Sequence, residues 1–291
     1  MPRNTPPMES TTIEVGDLTF SALAAGPVDA RPVLLLHGFP QSAWSWRNQL
    51  GALGAAGYRA VAIDQRGYSA GARPEPAEQY RTPNLVADVL GVADALGWDR
   101  FDLVGHDWGA AVAWQVAGRH REKIRTLTIL SVPHPFAFTK ALGGDDQKGR
   151  SSYIEMFRQV GVAEDLFLAD TADGNGPGAG LRALFKQTGL TASESERYVH
   201  TLTQPGAMTA ALNWYRASDG ADLLGLGPIT MPTMYIWSTN DPALGREAAE
   251  ATADHVEGPY RFEVLEGVSH WIAEEAPSTT NALLLDHLGA N

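Results

Sequence analysis

From Thr11 to Ala25 polar and apolar residues alternate on either side of Gly16-Asp17, which predicts a β-hairpin; residues 1–10 before it read as a loose tail. Val33-Leu34-Leu35-Leu36 and Ala60-Val61-Ala62-Ile63 are unbroken apolar runs, the pattern of strands buried on both faces. They exit through His37-Gly38-Phe39-Pro40 and Asp64-Gln65-Arg66-Gly67. From Asn84 to Leu96 the apolar positions Leu85, Val86, Val89 and Val92-Ala93 recur at helical spacing. A strand over Phe101 to Val104, a turn, a helix over Ala110 to Ala117 and a strand over Thr126 to Leu130 follow. Strands alternating with helices predict right-handed crossovers and a mostly parallel sheet covered on both faces, with ligands at the carboxyl ends of its strands.

This regularity breaks at Pro133-His134-Pro135. As far as Gly220 there is no strand signal, only helical patches at Tyr153 to Val160, Gly180 to Lys186 and Ala207 to Arg216, with Gly/Asp-rich connectors such as Ala172 to Gly178. The sheet pattern resumes at Met234 to Trp237, then a helix from Gly245 to His255, a strand from Tyr260 to Leu265 and a closing helix from Ser278 to Leu288. The expected class is α/β: a core domain of residues 11–135 and 221–291, with a helical cap, residues 136–220, inserted into it.

Composition narrows the function more than the fold. A chain of 291 residues with 44% hydrophobic and 19% charged residues is ordinary for a globular protein of one large domain or two small ones. Its formal charge of −12 argues against nucleic acid and anionic membrane surfaces as partners. The absence of cysteine excludes disulfides, thiolate metal sites and Cys nucleophiles. No apolar run approaches the ~20 residues of a membrane span, and Met1 to Ser10 shows no apolar signal region, so the cytoplasm is the expected location.

The chemistry concentrates at Gly105-His106-Asp107-Trp108-Gly109, between a strand and a helix. Small residues two before and two after a central side chain form a nucleophile elbow, G-x-Nu-x-G, with Asp107 where the familiar motif has serine. A carboxylate needs no base to be nucleophilic, and its attack on an sp3 carbon gives an ordinary ester. Attack on an acyl carbonyl would give a far less stable anhydride. Asp107 therefore points to alkyl transfer from carbon bearing a leaving group, then ester hydrolysis; the alternative is an Asp that merely caps a helix. The order nucleophile, acid, histidine places the acid at Asp241 in Ser238-Thr239-Asn240-Asp241-Pro242, or leaves that segment a plain turn. The rival position after Leu130 offers Ser131-Val132-Pro133 and no acid. His270, in Glu266-Gly267-Val268-Ser269-His270-Trp271, is the expected base. It would activate water against the Asp107 ester, with Asp241 holding its tautomer. The backbone N–H groups of Phe39 and Trp108 suit an oxyanion hole. His37 reads as holding its turn. His106, His120, His134, His200, His255 and His287 show no metal-ligand spacing and read as structural or surface residues.

The leaving group separates the candidate enzymes. A halide leaves as a weak base and wants N–H donors; an epoxide leaves as an alkoxide and needs a proton donor such as a phenol. Tyr153 and Tyr215 lie on helical stretches of the cap, where each taken alone reads as a packing aromatic. Tyr198 and Tyr235 read as structural.

From about residue 11 to 288 the chain resembles an epoxide hydrolase of the α/β-hydrolase superfamily. The motifs that carry the likeness are His37-Gly38-Phe39-Pro40 with Trp44-Ser45-Trp46-Arg47, Asp64-Gln65-Arg66-Gly67-Tyr68 and the Asp107 elbow. Tyr153 to Glu164, whose flanks match only partly, and Asn213-Trp214-Tyr215-Arg216 are similar to the surroundings of the family's ring-opening tyrosines. The resemblance implies the α/β-hydrolase fold, phenols that polarise and protonate the oxirane oxygen, attack by Asp107, and no metal or organic cofactor. A haloalkane dehalogenase shares the Asp elbow and Trp108, but commonly carries a second halide donor where Phe39 stands. A fluoroacetate-type dehalogenase would favour arginine where Trp108 stands. Another hydrolase, or a small-molecule binding protein without turnover, are further readings; the last would be expected to lack a triad member. Phe39, Trp44, Trp46, Trp108, Phe136 and Trp214 are candidates to line an apolar substrate pocket, which favours an aryl or alkyl epoxide as the small-molecule partner.

Overall fold

The structure is a computed structural model, described over residues 8–172, 176–219 and 225–291. Among these residues, eight strands form one sheet: β1 (Glu9–Val15), β2 (Leu18–Ala25), β3 (Pro32–Leu36), β4 (Arg59–Ile63), β5 (Phe101–His106), β6 (Ile124–Leu130), β7 (Thr233–Ser238) and β8 (Tyr260–Leu265). Their order is β1-β2-β4-β3-β5-β6-β7-β8. β2 pairs antiparallel with β1 and with β4, and every other neighbour is parallel. In the hairpin Val15 pairs with Leu18, and Gly16 supplies the positive φ, +57°, that a two-residue turn takes at its first central position. Glu9 and Ser10, expected in the tail, instead pair with Ala24 and Leu23, because ladder hydrogen bonds extend the strand beyond its alternating stretch. Residues 1–7 of that tail, 173–175 of the Gly/Asp-rich connector and the 220–224 boundary of the cap lie outside the described residues.

The helices are α1 (Arg47–Ala55), α2 (Thr82–Ala95), α3 (Trp108–Arg119), α4 (Pro135–Ala141), α5 (Asp145–Arg150), α6 (Tyr153–Arg158), α7 (Val162–Leu168), α8 (Ala179–Phe185), α9 (Ala192–Leu202), α10 (Ala207–Ala217), α11 (Arg246–Ala251), α12 (Ile272–Glu275) and α13 (Pro277–Ala290). The apolar runs of β3 and β4 split by period two. Leu34, Leu36, Val61 and Ile63 join a cluster that includes residues of α2 and α3; Val33, Leu35, Ala60 and Ala62 join one that includes Leu50, Leu53, Leu284 and Leu288 of α1 and α13. Both faces of the sheet are therefore covered, and unbroken apolar runs can sit in it.

The described residues between β6 and β7 are organised as the seven helices α4 to α10, and the first apolar cluster continues into them through Phe157, Phe167, Leu181, Phe185, Tyr198 and Trp214. Several of these helices carry no long apolar stripe, which is why their sequences gave no helical signal. The expected helix from Tyr153 ends at Arg158, before a turn in which Gly161 takes φ +87°. The one expected from Gly245 is α11 followed by a 3-10 turn over Thr252–His255.

Candidate active site

The strand order reverses at β3, which has β4 on one side and β5 on the other, so the loops after β3 and β5 diverge and leave a crevice between them. Leu36 pairs with Gly105 across β3 and β5, and two residues further along each chain stand Gly38 and Asp107. The two exits touch. A Cβ on Gly38 would fall 2.2 Å from the Asp107 side chain, one on Gly105 2.5 Å from the Gly109 carbonyl, and one on Gly109 2.1 Å from the Leu36 carbonyl. Those glycines are a requirement of the turn. Asp107 itself sits at φ 51°, ψ −123°, and its side chain makes no cap hydrogen bond to α3, so the helix-cap reading does not account for it. Its Oδ1 accepts the Phe39 N–H at 2.7 Å.

The loops after β7 and β8 complete a line of three side chains. Asp241 Oδ2 lies 2.7 Å from His270 Nδ1, and His270 Nε2 lies 3.5 Å from Asp107 Oδ2. Asp241 is 1% exposed and its Oδ1 accepts the N–H groups of Ala243 and Leu244 at 2.8 and 3.0 Å. Both readings of Asn240-Asp241-Pro242 therefore hold: one oxygen builds the turn while the other faces the histidine. Burial alone would lower His270, but Asp241 and Asp107 on its two sides push it up to about 10. Burial would raise Asp107, and the charge and hydrogen bond of His270 outweigh that and hold it below the usual carboxylate range. The resting site is thus an imidazolium between two carboxylates.

Two phenols face each other beside this line. Tyr153 opens α6 and Tyr215 lies in α10, with ring centroids 6.3 Å apart. Burial first, and then the Asp107 charge among other neighbours, raises both phenols above their ordinary value, so both are protonated donors. The Tyr215 ring meets Trp108 at 5.0 Å, Phe157 at 5.0 Å and Phe39 at 5.6 Å; Phe167 closes on Phe39 at 5.7 Å.

A model of the alpha/beta hydrolase fold family matches residues 31–277. Epoxide hydrolase A of Mycobacterium tuberculosis is 34% identical to this chain, covering 95% of it and 96% of that protein. The AB hydrolase superfamily protein YfhM of Bacillus subtilis is 35% identical, at 95% and 96% coverage. The crystal structure of epoxide hydrolase A from Mycobacterium thermoresistibile superposes with a TM-score of 0.83 at 31% identity, over 97% of this chain and 98% of that one. The chain belongs to the epoxide hydrolases of the α/β-hydrolase superfamily.

Within this hydrolase the structure redistributes the aromatic residues expected to line a pocket. Phe39 and Trp108 stand beside Asp107, and Trp214, 1% exposed, backs Trp108 while its indole donates to the Arg66 carbonyl at 2.9 Å. Trp44, Trp46 and Phe136 lie elsewhere. The Trp44 ring is covered by the Arg197 guanidinium at 4.0 Å and borders a separate surface cleft with Ser42, Asp64 and His200. Trp46 is fully buried in the cluster of α1 and α13. Phe136, in the first turn of α4, is 40% exposed and packs on His134 and His255. Their places at the site are taken by Phe157 and Phe167, which sequence reasoning missed. Phe157 was readable as the i+4 neighbour of Tyr153; Phe167 lies on α7, whose seven residues space Val162, Ala163, Leu166 and Phe167 as a helix does but make too short a run to stand out.

The remaining histidines are structural in different ways. His37 Nε2 accepts the Gln65 N–H at 3.1 Å and its Nδ1 faces the Gly38 carbonyl at 2.9 Å, which fixes one neutral tautomer; burial holds it down to about 4. His106 is buried against the loop that carries His270, with Nε2 2.9 Å from the His270 carbonyl. Tyr235 donates to the Ser131 carbonyl at 2.8 Å, as a structural residue would. Among the described residues no helix is long and apolar enough to cross a membrane.

Proposed function

We propose that the protein opens an oxirane to a vicinal diol through a covalent alkyl ester on Asp107, with the helices α4 to α10 acting as a cap that supplies the acid. The paired phenols of Tyr153 and Tyr215 beside the nucleophile carry this reading. Both donate to the oxirane oxygen as Asp107 attacks a ring carbon; the C–O bond breaks, its electron pair goes to oxygen, and one phenol gives up its proton. Esterification removes the negative charge of Asp107 that helped hold the proton on His270. His270 then returns that proton to the phenolate and is left neutral, ready to take a proton from water. Water attacks the Asp107 carbonyl, the Phe39 and Trp108 N–H groups receive the oxyanion, and collapse releases the diol. His270 is again protonated and Asp107 again a carboxylate, so protons balance over the cycle. Asp241 orients the imidazole throughout.

A haloalkane dehalogenase would need N–H donors free to hold halide. Position 39 offers no side-chain N–H to pair with the Trp108 indole, and the two phenols beside Asp107 suit a departing alkoxide rather than a halide, so the site favours the epoxide. The aromatic walls favour an apolar aryl or alkyl epoxide. Styrene oxide and a bromoalkane, offered separately while diol and bromide are followed, provide the test. Wild type is expected to release diol and no bromide, Asp107→Ala neither, and Tyr153→Phe/Tyr215→Phe diol at a rate lower by about 10²-fold or more. Bromide without diol would overturn the assignment.

A further inference from the structure

His270 is held at its backbone as well as at its ring. Its carbonyl accepts Ser131 Oγ at 3.0 Å and faces His106 Nε2 at 2.9 Å. Burial keeps His106 neutral, with its one N–H on Nε2 for that carbonyl, so its Nδ1 meets the Gln41 amide oxygen at 3.1 Å as a packing contact, and the Gln41 amide nitrogen donates to Glu274 Oε2. Glu274 is on α12, four residues after His270 in the chain, with its side chain wholly buried. Its Oε1 accepts Arg47 at 2.5 Å and the Tyr198 hydroxyl at 2.8 Å. Tyr198 belongs to α9 of the cap, and Arg47 reaches the same helix through Glu194 at 2.6 Å. One carboxylate thus joins the loop after β3, the start of α1, the segment that carries His270 and the cap. The mechanism above gives it no task.

We propose that Glu274 is a positioning residue for the hydrolytic step: it fixes the Gln41 side chain against the His106 ring, whose N–H clamps the His270 carbonyl, and ties that clamp to the cap through Tyr198 and Arg47. The proposal rests on the alkyl-ester reading. In that reading His270 changes partner during the cycle, from the Asp107 carboxylate to a water molecule. Asp241 fixes only one ring nitrogen, so the remaining freedom of the imidazole is set by the loop beneath it. Formation of the ester draws on Asp107 and the phenols and does not need His270 to aim at water; hydrolysis does. Loosening the clamp therefore slows the second step alone.

The experiment follows both steps with styrene oxide in wild type, Glu274→Ala, Tyr198→Phe and His270→Ala, by quenched-flow mass spectrometry of the intact chain together with steady-state kinetics. Glu274→Ala is expected to lower ester hydrolysis about tenfold or more, since misplacements near 1 Å cost up to ~10²-fold, while esterification is preserved. The adduct then accumulates, and kcat and KM fall together with kcat/KM held. Tyr198→Phe keeps its ring on Phe185, at 5.3 Å, and loses only the hydroxyl; it shows the same split at smaller amplitude and carries the test should Glu274→Ala not fold. A fall in kcat/KM equal to that in kcat would make Glu274 a purely structural residue, and kinetics like wild type in both variants would also overturn the proposal. If even His270→Ala never gains the mass of the epoxide, the alkyl-ester reading itself fails, which is a separate outcome.

Discussion

At the scale of single residues, Asp107 pays for its position with backbone strain. A φ of 51° with ψ −123° is glycine territory, and a non-glycine residue there costs of order 1–3 kcal/mol. The neighbouring glycines let β3 and α3 close around the turn and force this conformation. Removing the carboxylate in two ways separates strain from charge. Asp107→Gly and Asp107→Ala both lose the Phe39 N–H and His270 contacts, but only glycine relaxes the backbone. Glycine also loses about 0.5–1 kcal/mol through its freer unfolded chain. Asp107→Gly is therefore expected to be more stable than Asp107→Ala by about 1 kcal/mol, read from urea unfolding midpoints, with both inactive. Equal midpoints would mean that the turn holds no strain.

Among the elements, β5 matters most because it delivers Asp107, the proposed nucleophile, and its own anchor lies at the far end from the site. Asp102 is fully buried there and receives Arg31 through two hydrogen bonds at 2.7 and 2.8 Å, with Thr126 Oγ1 at 2.8 Å. Arg31 also donates to the Leu288 carbonyl at 2.9 Å, which fastens α13 to the sheet. The pair is asymmetric: the Arg31 side chain is 26% exposed and can turn to water, whereas Asp102 cannot. Arg31→Ala leaves the buried carboxylate with only the Thr126 hydroxyl and Arg125 at 4.0 Å, and is expected to cost about 3 kcal/mol or more. Asp102→Ala leaves a cation that water can reach and is expected to cost less, about 1–3 kcal/mol. Chemical denaturation of both variants checks the order, and the reverse order would refute it. The elements most legible in the sequence were these buried strands, since a run such as Val33 to Leu36 has few other places to go. Short helices such as α5 and α7 were not, because six or seven residues are too few to establish a period and owe their helicity to what they pack against.

Across the whole molecule, the site links catalysis to pH through His270. Its proton affinity is raised by folding, so the ion pairs contribute stability that is fully present below the ordinary imidazole value of 6.5 and is lost as pH rises through about 10. The melting temperature of wild type is accordingly expected to fall between pH 6.5 and 9.5. In His270→Gln, which starts from a lower stability because two carboxylates lose their common partner, that slope is expected to flatten. Parallel slopes in the two proteins would show that His270 is not protonated in the folded resting state.

Chain-local patterns determined a good deal: the α/β class, the order of the strands along the sequence, the elbow around Asp107 and the succession Asp107, Asp241, His270. Pleat period, helical period and the need for glycine beside a crowded turn act over a few residues and leave a local imprint. The sequence also limited the reaction, because a carboxylate nucleophile makes an ester only at carbon bearing a leaving group. Only the tertiary structure decided that Phe157 and Phe167 stand beside Asp107 and Tyr215 while Trp44, Trp46 and Phe136 do not, that His106 lies against the loop of His270, and that Glu274 joins α9 to the segment of His270. Glu274 stands 233 residues from Gln41 and 76 from Tyr198. Contacts between such distant residues depend on how helices and sheet pack in space, and so does the proton affinity of His270, which two carboxylates raise only once folding has brought them to its two sides.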